Sequence, residues 1–498
     1  MKNLLPVFES LEQGITNPDV SGVKVYEQSY VQWRDAVLLL MVKENNTKWI
    51  LAAGSGSLYD DLEGTEIQRK RKVCPLTHHN RLVLNRFFDY TAPRAFGPHV
   101  ATMGLGDRLG LASPGHIQAL KDQPVKPILA QQSIRELTLT NRTMDDVLDA
   151  ACFAVFQEGY KGGFGADGDH LKEEDDIEAA LANGMSMLTL DCSDYIHNNV
   201  ESAASKEIRT QYEKLPQSVR DRYSKRYMNR SFDVNGLRVF FDETSLMKNV
   251  LLYRDAITYM IHVYTQYIQK EKREIDFEIS IDETTTTTTP QAHFFVAQEL
   301  MQEGVKVTSL APRFCGEFQK GIDYIGDLEQ FENELKEHVL IAKHFGYKLS
   351  IHSGSDKFKV FPLIGKYTEG IFHIKTAGTN WLEAMRVIAE TNPDLYRRMH
   401  QYALEHFQEA LQYYHVTPDL EEIKPLGEVE DNELPSYMDN DASRQLFHVT
   451  YGLLLTATDE GGRYLFKDEF FTTLNDHEDD YRRMLIRHIG KHLESLAV

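Results

Sequence analysis

From about residue 96 onward, short β-rich runs alternate with stretches of helical period, and each run ends in a cluster of Gly, Asp, His, Ser or Thr. The series reads HVATMGLGDRLG (99–110), PILAQQS (127–133), GGFGADGDH (162–170), MSMLTLDCSD (185–194), DFEISIDE (276–283), KVTSLAPRF (306–314), KLSIHSGSD (348–356) and GIFHIKTAGT (370–379). Eight strands separated by helices require right-handed crossovers and a parallel sheet, which predicts a (β/α)8 TIM-type barrel. Polar residues gathered at strand C-termini are what the active-site face of such a barrel needs. An open doubly wound sheet is the alternative, and GLGDRLG (104–110) bears on it. That glycine run falls short of a dinucleotide fingerprint, because its third glycine comes one position late.

The barrel is expected over 96–380, interrupted at about 195–272 by an insertion. This segment carries the charge-rich KEIRTQYEKLPQSVRDRYSKRY and the apolar LLYRDAITYMIHVYTQYIQ, and it either covers the barrel mouth or buttresses its flank. Residues 1–95 form an α+β elaboration with strand candidates VKVYEQSYV, DAVLLLMVKE and KWILAAGSG. Residues 381–498 are helical and expected to pack on the barrel. The threonine run at 284–289 sits at a strand-to-helix junction, where threonines serve as N-caps and anion donors or simply as a polar loop.

Composition narrows the function. With 42% hydrophobic and 26% charged residues the chain is globular, and 54 Lys+Arg against 75 Asp+Glu give a net charge of −21. Basic runs such as QRKRK (68–72) are short and isolated, so neither nucleic acid nor an anionic membrane is an expected partner. The N-terminal apolar patch is interrupted by Glu9 and Glu12, and no stretch approaches the roughly 20 apolar residues of a membrane span. The expected location is therefore the cytoplasm. The four cysteines are scattered without CxxC spacing, as reduced structural thiols would be.

Four strand ends carry candidate chemistry. GGFGADGDHLK (162–172) places Asp167, Asp169 and His170 at a glycine-loosened terminus, where histidine can bind a divalent metal while aspartate moves a proton. The plainer reading is a solvated turn whose aspartates cap the next helix. In LSIHSGSDKFK (349–359), His352 is a candidate metal ligand, and Ser353, Ser355 and Lys357 suit an oxygen-rich anionic substrate. In DFEISIDE, the period of two puts Glu278, Ser280 and Asp282 on one face with Glu283 on the other, and the acids of this strand are the best source of a second acid/base. His293, one turn into the following helix, is a possible third ligand or a partly buried helical histidine. After the next strand, Arg313 suits a substrate carboxylate and Glu317 is a rival third ligand, with Lys320 beside them; a surface salt-bridge cluster is the alternative. Asp191, Gln132, Ser133 and Arg135 could contact sugar hydroxyls. No GxSxG elbow, GxxxxGK[ST] loop or HExxH helix is present, so serine and phosphoryl chemistry recede.

The runs GADGDHLK, FEISIDET with the following TTPQAHFF, LAPRF with KGIDYIGDL, and IHSGSDKF resemble those of the tagaturonate epimerase family, over most of the chain. The GDH element is also similar to the Asp-His pair of class II aldolases. The resemblance implies a metal-dependent isomerase of hexuronate catabolism that interconverts D-tagaturonate and D-fructuronate. It implies Asp169 as acid/base with Glu278 opposed to it, and His170, His352 and His293 as metal ligands with Glu317 in reserve. Arg313, Ser353 or Lys357 would meet the substrate. The cofactor is a divalent cation, with zinc, manganese, cobalt, nickel and iron all suited to such ligands. The inverted carbon lies two removed from the ketone, so retro-aldol cleavage and re-addition is chemically easier than direct deprotonation. A class II sugar aldolase and a non-catalytic barrel subunit of an aldolase are the alternatives. The partner is a small ketouronate, with a homo-oligomer left open.

Overall fold

In the computed structural model, which describes residues 2–34 and 36–497, the chain opens with an antiparallel sheet. Asp35, which begins one expected strand, lies outside the described residues, as do Met1 and Val498. Strands β1 (Val23–Trp33), β2 (Val37–Glu44), β3 (Thr47–Gly54), β4 (Thr65–Gln68) and β5 (Arg71–Pro75) pair in the order β1-β2-β3-β5-β4. Strand β2 reads as an unbroken apolar run because both its faces are covered. Val37, Leu39 and Met41 pack with Phe153 and Phe156 of the helix Met144–Gln157, while Leu40 and Val42 pack with Val7, Phe8 and Leu11 of the helix Leu5–Glu12. The β4–β5 hairpin escapes a sequence reading because its turn, with Lys70 in the left-handed region, falls inside the QRKRK run.

Parallel strands β6 (Thr102–Gly104), β7 (Lys126–Ser133), β8 (Gly165–Leu171) and β9 (Met187–Asp191) follow. After the hairpin β10 (Arg230–Val234) and β11 (Leu237–Phe241) come β12 (Asp276–Ile281), β13 (Ser309–Pro312), β14 (Lys348–Ile351) and β15 (Phe372–Lys375). Strand β15 pairs with β6, and β9 with β12, closing an eight-stranded barrel on all eight expected runs. Closure removes the free edges that an open doubly wound sheet would carry. Alternate residues sort sharply. Leu188, Leu190, Phe277, Ile279, Ile281, Leu349, Ile351, Phe372 and Ile374 join the apolar core with the surrounding helices. Thr189, Glu278 and Lys375 instead meet Asp167 inside the barrel, so its lumen is a polar, ionised core where packed aliphatic residues are usual.

The segment between β9 and β12 is a buttress. Tyr227, Phe232 and Phe241 stack against Phe294 and Phe295 of the helix Pro290–Gln302, with Phe232 and Phe294 centroids 4.9 Å apart. Buried Glu299 on that helix accepts from Tyr227 at 2.6 Å and from Arg226 at 2.9 Å. Helices Thr379–Thr391, Pro393–Glu405, Asp441–Thr456 and Lys467–Asp476 build a second core around Trp381. The last helix, Glu478–Leu496, lies against the helices Ser113–Leu120 and Phe361–Thr368. There Gly365 admits the chain end, since a Cβ would stand 2.0 Å from the Leu496 carbonyl oxygen. All four cysteines are buried and unpaired. Among the described residues no helix is long and apolar enough to cross a membrane.

One carboxylate ties the two ends of the chain. Glu478 lies 3.1 Å from both Lys43 and Lys48 and 2.9 Å from the Tyr26 hydroxyl, at a helix N-terminus that favours negative charge. Burial pushes its carboxyl up, but the three lysines of the sheet outweigh burial and hold it far below the usual carboxylate range. Glu478→Ala is expected to cost about 2 kcal/mol in urea unfolding, most of it from leaving Lys43 and Lys48 without their carboxylate, since Lys24 keeps Asp479 at 2.7 Å. Because the folded pKa is depressed, this stability is complete above the unfolded glutamate pKa of about 4.3 and is lost as pH falls below it. The wild-type minus mutant difference in unfolding free energy should therefore shrink between about pH 5 and pH 3.

Candidate active site

The barrel floor is organised around the Lys375 ammonium. Its Nζ lies 2.5 Å from Asp169 Oδ1, 3.1 Å from Asp167 Oδ2, 3.0 Å from Glu278 Oε1 and 2.7 Å from the Thr189 hydroxyl. Burial alone would lower this lysine, but the three carboxylates hold it charged, well above its ordinary value. Burial likewise works to raise Asp169 and Glu278, and the ammonium overrides it so that both sit below the usual carboxylate range. Asp167 is pushed up to about 6 by burial. Lys375 went unnominated from sequence. Its one signal was a lysine closing the apolar strand FHIK, where an ammonium needs a partner.

Strict alternation would turn His170 away from Asp169 and out of the lumen. A bulge prevents this. Gly168 pairs with Leu188 and Leu171 with Leu190, so three steps on β8 face two on β9, and His170 takes φ 52°. Its imidazole comes round to the mouth, with Nε2 4.0 Å from Asp169 Oδ1 and Nδ1 3.6 Å from Asp191 Oδ2. From the end of β14, His352 meets it edge to face, ring centroids 4.8 Å apart. His352 Nε2 lies 2.8 Å from Glu278 Oε1, and its Nδ1 lies 3.0 Å from Asp282 Oδ1. Although burial depresses it, the neighbouring acids raise His352 to about 9.

The donor set suits a divalent cation. Asp167, Asp169, Asp191 and Glu278 are buried and Asp282 is half-buried, five carboxylates in one region against two ammoniums, Lys375 and, 3.9 Å from Asp191, Lys172. Such an excess of negative charge calls for further positive charge, from imidazole protons or from a metal. The Nδ1 atoms of both histidines are buried without a well-aligned hydrogen-bond partner.

Above this floor opens a cavity of about 550 Å3, whose wall includes His352, Ser353, Asp282, Arg313, Lys320 and Arg135. Lys320 donates to Ser353 Oγ at 2.9 Å, and burial followed by the Arg135 charge lowers its pKa. Arg135 lies over the Tyr414 ring, 4.7 Å from its centroid. Thr284 and Thr285 line the same wall, while Thr289 caps the helix Pro290–Gln302 and Thr288 accepts the Arg313 N–H.

Asp169, Glu278, His170, His352, Ser353 and Arg313 thus come together at one barrel end. Two nominated residues do not. His293 is fully buried between helices, with Nδ1 2.8 Å from His338 Nδ1 and Nε2 2.5 Å from the Tyr347 hydroxyl, and burial holds it far below its ordinary pKa. The helix turns this position toward the helix Leu328–Phe345 and away from the rim. Lys357 is also fully buried, donating to the carbonyls of Gln319, Ile322 and Ser355, and burial lowers it to about 7. Its ammonium ties two loops together and has no donor left for substrate. Glu317 is exposed on the outer cavity wall, where it accepts from the Gln319 amide.

Comparison with known proteins assigns the family. The tagaturonate epimerase family model matches residues 26–496. A tagaturonate/fructuronate epimerase of Thermotoga maritima is 41% identical over 483 residues, covering 95% of this chain and 97% of that protein. Native and glycerol-bound crystal structures of a fructuronate-tagaturonate epimerase from Cohnella laeviribosi superpose with a TM-score of 0.95 at 55% identity, covering 100% of both chains. A (β/α)8 barrel with an acid–imidazole floor, matched along nearly its whole length, makes this chain a member of the tagaturonate epimerase family.

Proposed function

We propose that this protein interconverts D-tagaturonate and D-fructuronate in a metal-dependent epimerisation. The observation that carries the reading is a cationic rim, Lys320, Arg135 and Arg313, set over a floor of carboxylates and paired imidazoles in one barrel mouth. A ketouronate brings one carboxylate and a chain of hydroxyls, and the rim and the floor divide these between them. The carbon to be inverted stands two removed from the ketone, so its hydroxyl proton is the accessible one. Asp169 takes that proton. The bond to the neighbouring carbon on the ketone side breaks, and its electron pair stays with the ketone fragment as an enediolate. The aldehyde fragment turns over, the carbon–carbon bond re-forms on its other face, and Asp169 returns the proton to the new alkoxide.

Lys375 keeps Asp169 ionised from 2.5 Å away. Glu278 is fully buried and already engaged by Lys375, His352 and Ser309, so it orients His352 and does not meet substrate. His170 and His352 would hold the divalent cation, with Asp191 and Asp282 the carboxylates beside their Nδ1 atoms; once bound, the ion supplies Lewis-acid stabilisation to the ketone oxygen.

Chelator-treated enzyme given tagaturonate in D2O should stay silent until a divalent metal is added, and then form fructuronate with protium at the inverted carbon. Deuterium there would overturn the cleavage route, and accumulating fragments would make the enzyme an aldolase. Asp169→Asn should lower kcat by roughly 10²- to 10⁴-fold while far-UV circular dichroism is unchanged. Lys320→Met should raise KM for the uronate about tenfold or more and leave kcat within about threefold, the signature of lost carboxylate binding.

A further inference from the structure

A second cluster of ligating side chains lies behind the loop that follows β14, outside the barrel mouth. His488 and His492 sit one turn apart on the last helix and face Asp356. Each imidazole is anchored through Nδ1: His488 Nδ1 is 3.1 Å from Glu383 Oε1, and His492 Nδ1 donates to the His488 carbonyl at 2.9 Å. Their Nε2 atoms are thereby turned toward one oxygen, Asp356 Oδ1, at 2.7 Å and 3.8 Å. The other carboxylate oxygen, Oδ2, is taken by Arg444 at 2.5 Å. Asp356 Oδ1 and His488 Nε2 are close, buried and yet not aligned as a hydrogen bond. Asp356 also holds φ 61°, a left-handed conformation that costs a non-glycine residue energy.

Imidazoles oriented by a carboxylate and a backbone carbonyl, with their other ring nitrogens converging on a carboxylate oxygen, are the arrangement by which proteins prepare a metal site. Among the described residues this is the one trio of His, Cys, Asp or Glu whose ligand atoms all lie within 4.8 Å of one another. We propose that Asp356, His488 and His492 bind a first-row divalent cation of the zinc, cobalt or nickel class, a site separate from the barrel floor. Three protein ligands leave a position for water, and Asp356, His488 and Glu383 border a cleft of about 1020 Å3 through which an ion can enter. Binding displaces the hydrogen bond that His492 Nε2 now accepts from the Asp356 N–H at 3.1 Å. Once His488 is neutral, the Asp356 and Glu383 carboxylates balance the guanidiniums of Arg444, 2.5 Å from Asp356, and Arg386, 3.6 Å from Glu383, so the converging ligand atoms and not net charge select the ion. The ion pins the last helix to a loop whose first residue is His352, and so braces the barrel mouth from behind.

The test uses the full chain carrying His170→Ala and His352→Ala, which removes the two imidazoles of the barrel floor. After chelation and dialysis at pH 8 against cobalt(II), this protein should retain one cobalt per chain, show visible d–d absorption and melt at a higher temperature than its metal-free form. Adding His488→Gln and His492→Gln should reduce retained cobalt to under a tenth per chain and abolish the thermal shift. If the barrel-mouth variant does not fold, His488→Gln/His492→Gln in the otherwise wild-type chain should bind one cobalt fewer than wild type. No cobalt uptake in the first variant, or uptake unchanged by the glutamines, overturns the proposal and leaves an ion-pair network only. The readout needs no turnover, so it stands or falls independently of the epimerase reading.

Discussion

A single buried ammonium holds the inside of this barrel together. Three carboxylates approach Lys375 within 3.1 Å, from β8 and β12. It is the largest charge that opposes their burial, and desolvated like charges at such distances would otherwise force strands apart or take up protons. Everything at the mouth hangs from that arrangement. Glu278, fixed by Lys375 and Ser309, presents an oxygen to His352, and His352 in turn faces His170 and Asp282. A packed aliphatic lumen would be safer for stability but would give the rim nothing to stand on.

The same charges explain the division of the site. Acidic groups lie deep, where the backbone of the strands fixes them, whereas Lys320 and Arg313 come from the loop after β13 and Arg135 from the first turn of the helix Ile134–Thr140. Rigid placement suits groups that must handle protons and an ion; loop placement suits groups that must fit the tail of a substrate. Burial lowers the Lys320 pKa, but its hydroxyl partner on Ser353 leaves its charge for an incoming carboxylate.

Much of this was legible from sequence, for definite reasons. The strands of a parallel barrel are buried on both sides and punctuated by polar ends, so their number and order could be read from the runs themselves. Asp169 and Glu278 lie on strands, where period-two alternation assigns a face, and His352 follows directly on the last residue of one. His170 violates that alternation, and a bulge that alternation does not reveal brings it to the mouth. His293 was misplaced because one helical turn past a cap constrains height along the helix and not direction around it. Lys357 was misplaced because a loop's path decides whether its side chain meets solvent or three carbonyls. Lys375 was invisible for the opposite reason: its meaning depends on acids contributed by other strands.

The contact at Glu478 also bears on the order in which the chain can become a protein. The first sheet leaves the ribosome with Lys43 and Lys48 aimed at a carboxylate that is synthesised 435 and 430 residues later. Until that helix arrives, the sheet carries a cluster of positive charge with no counterpart, and closing so long a loop is slow even though its entropic cost grows only gently with length. The early part of the molecule therefore waits on the late part, and a nascent chain stalled before its last helix would expose the paired lysines of the β2–β3 hairpin to chaperones or to other anionic molecules.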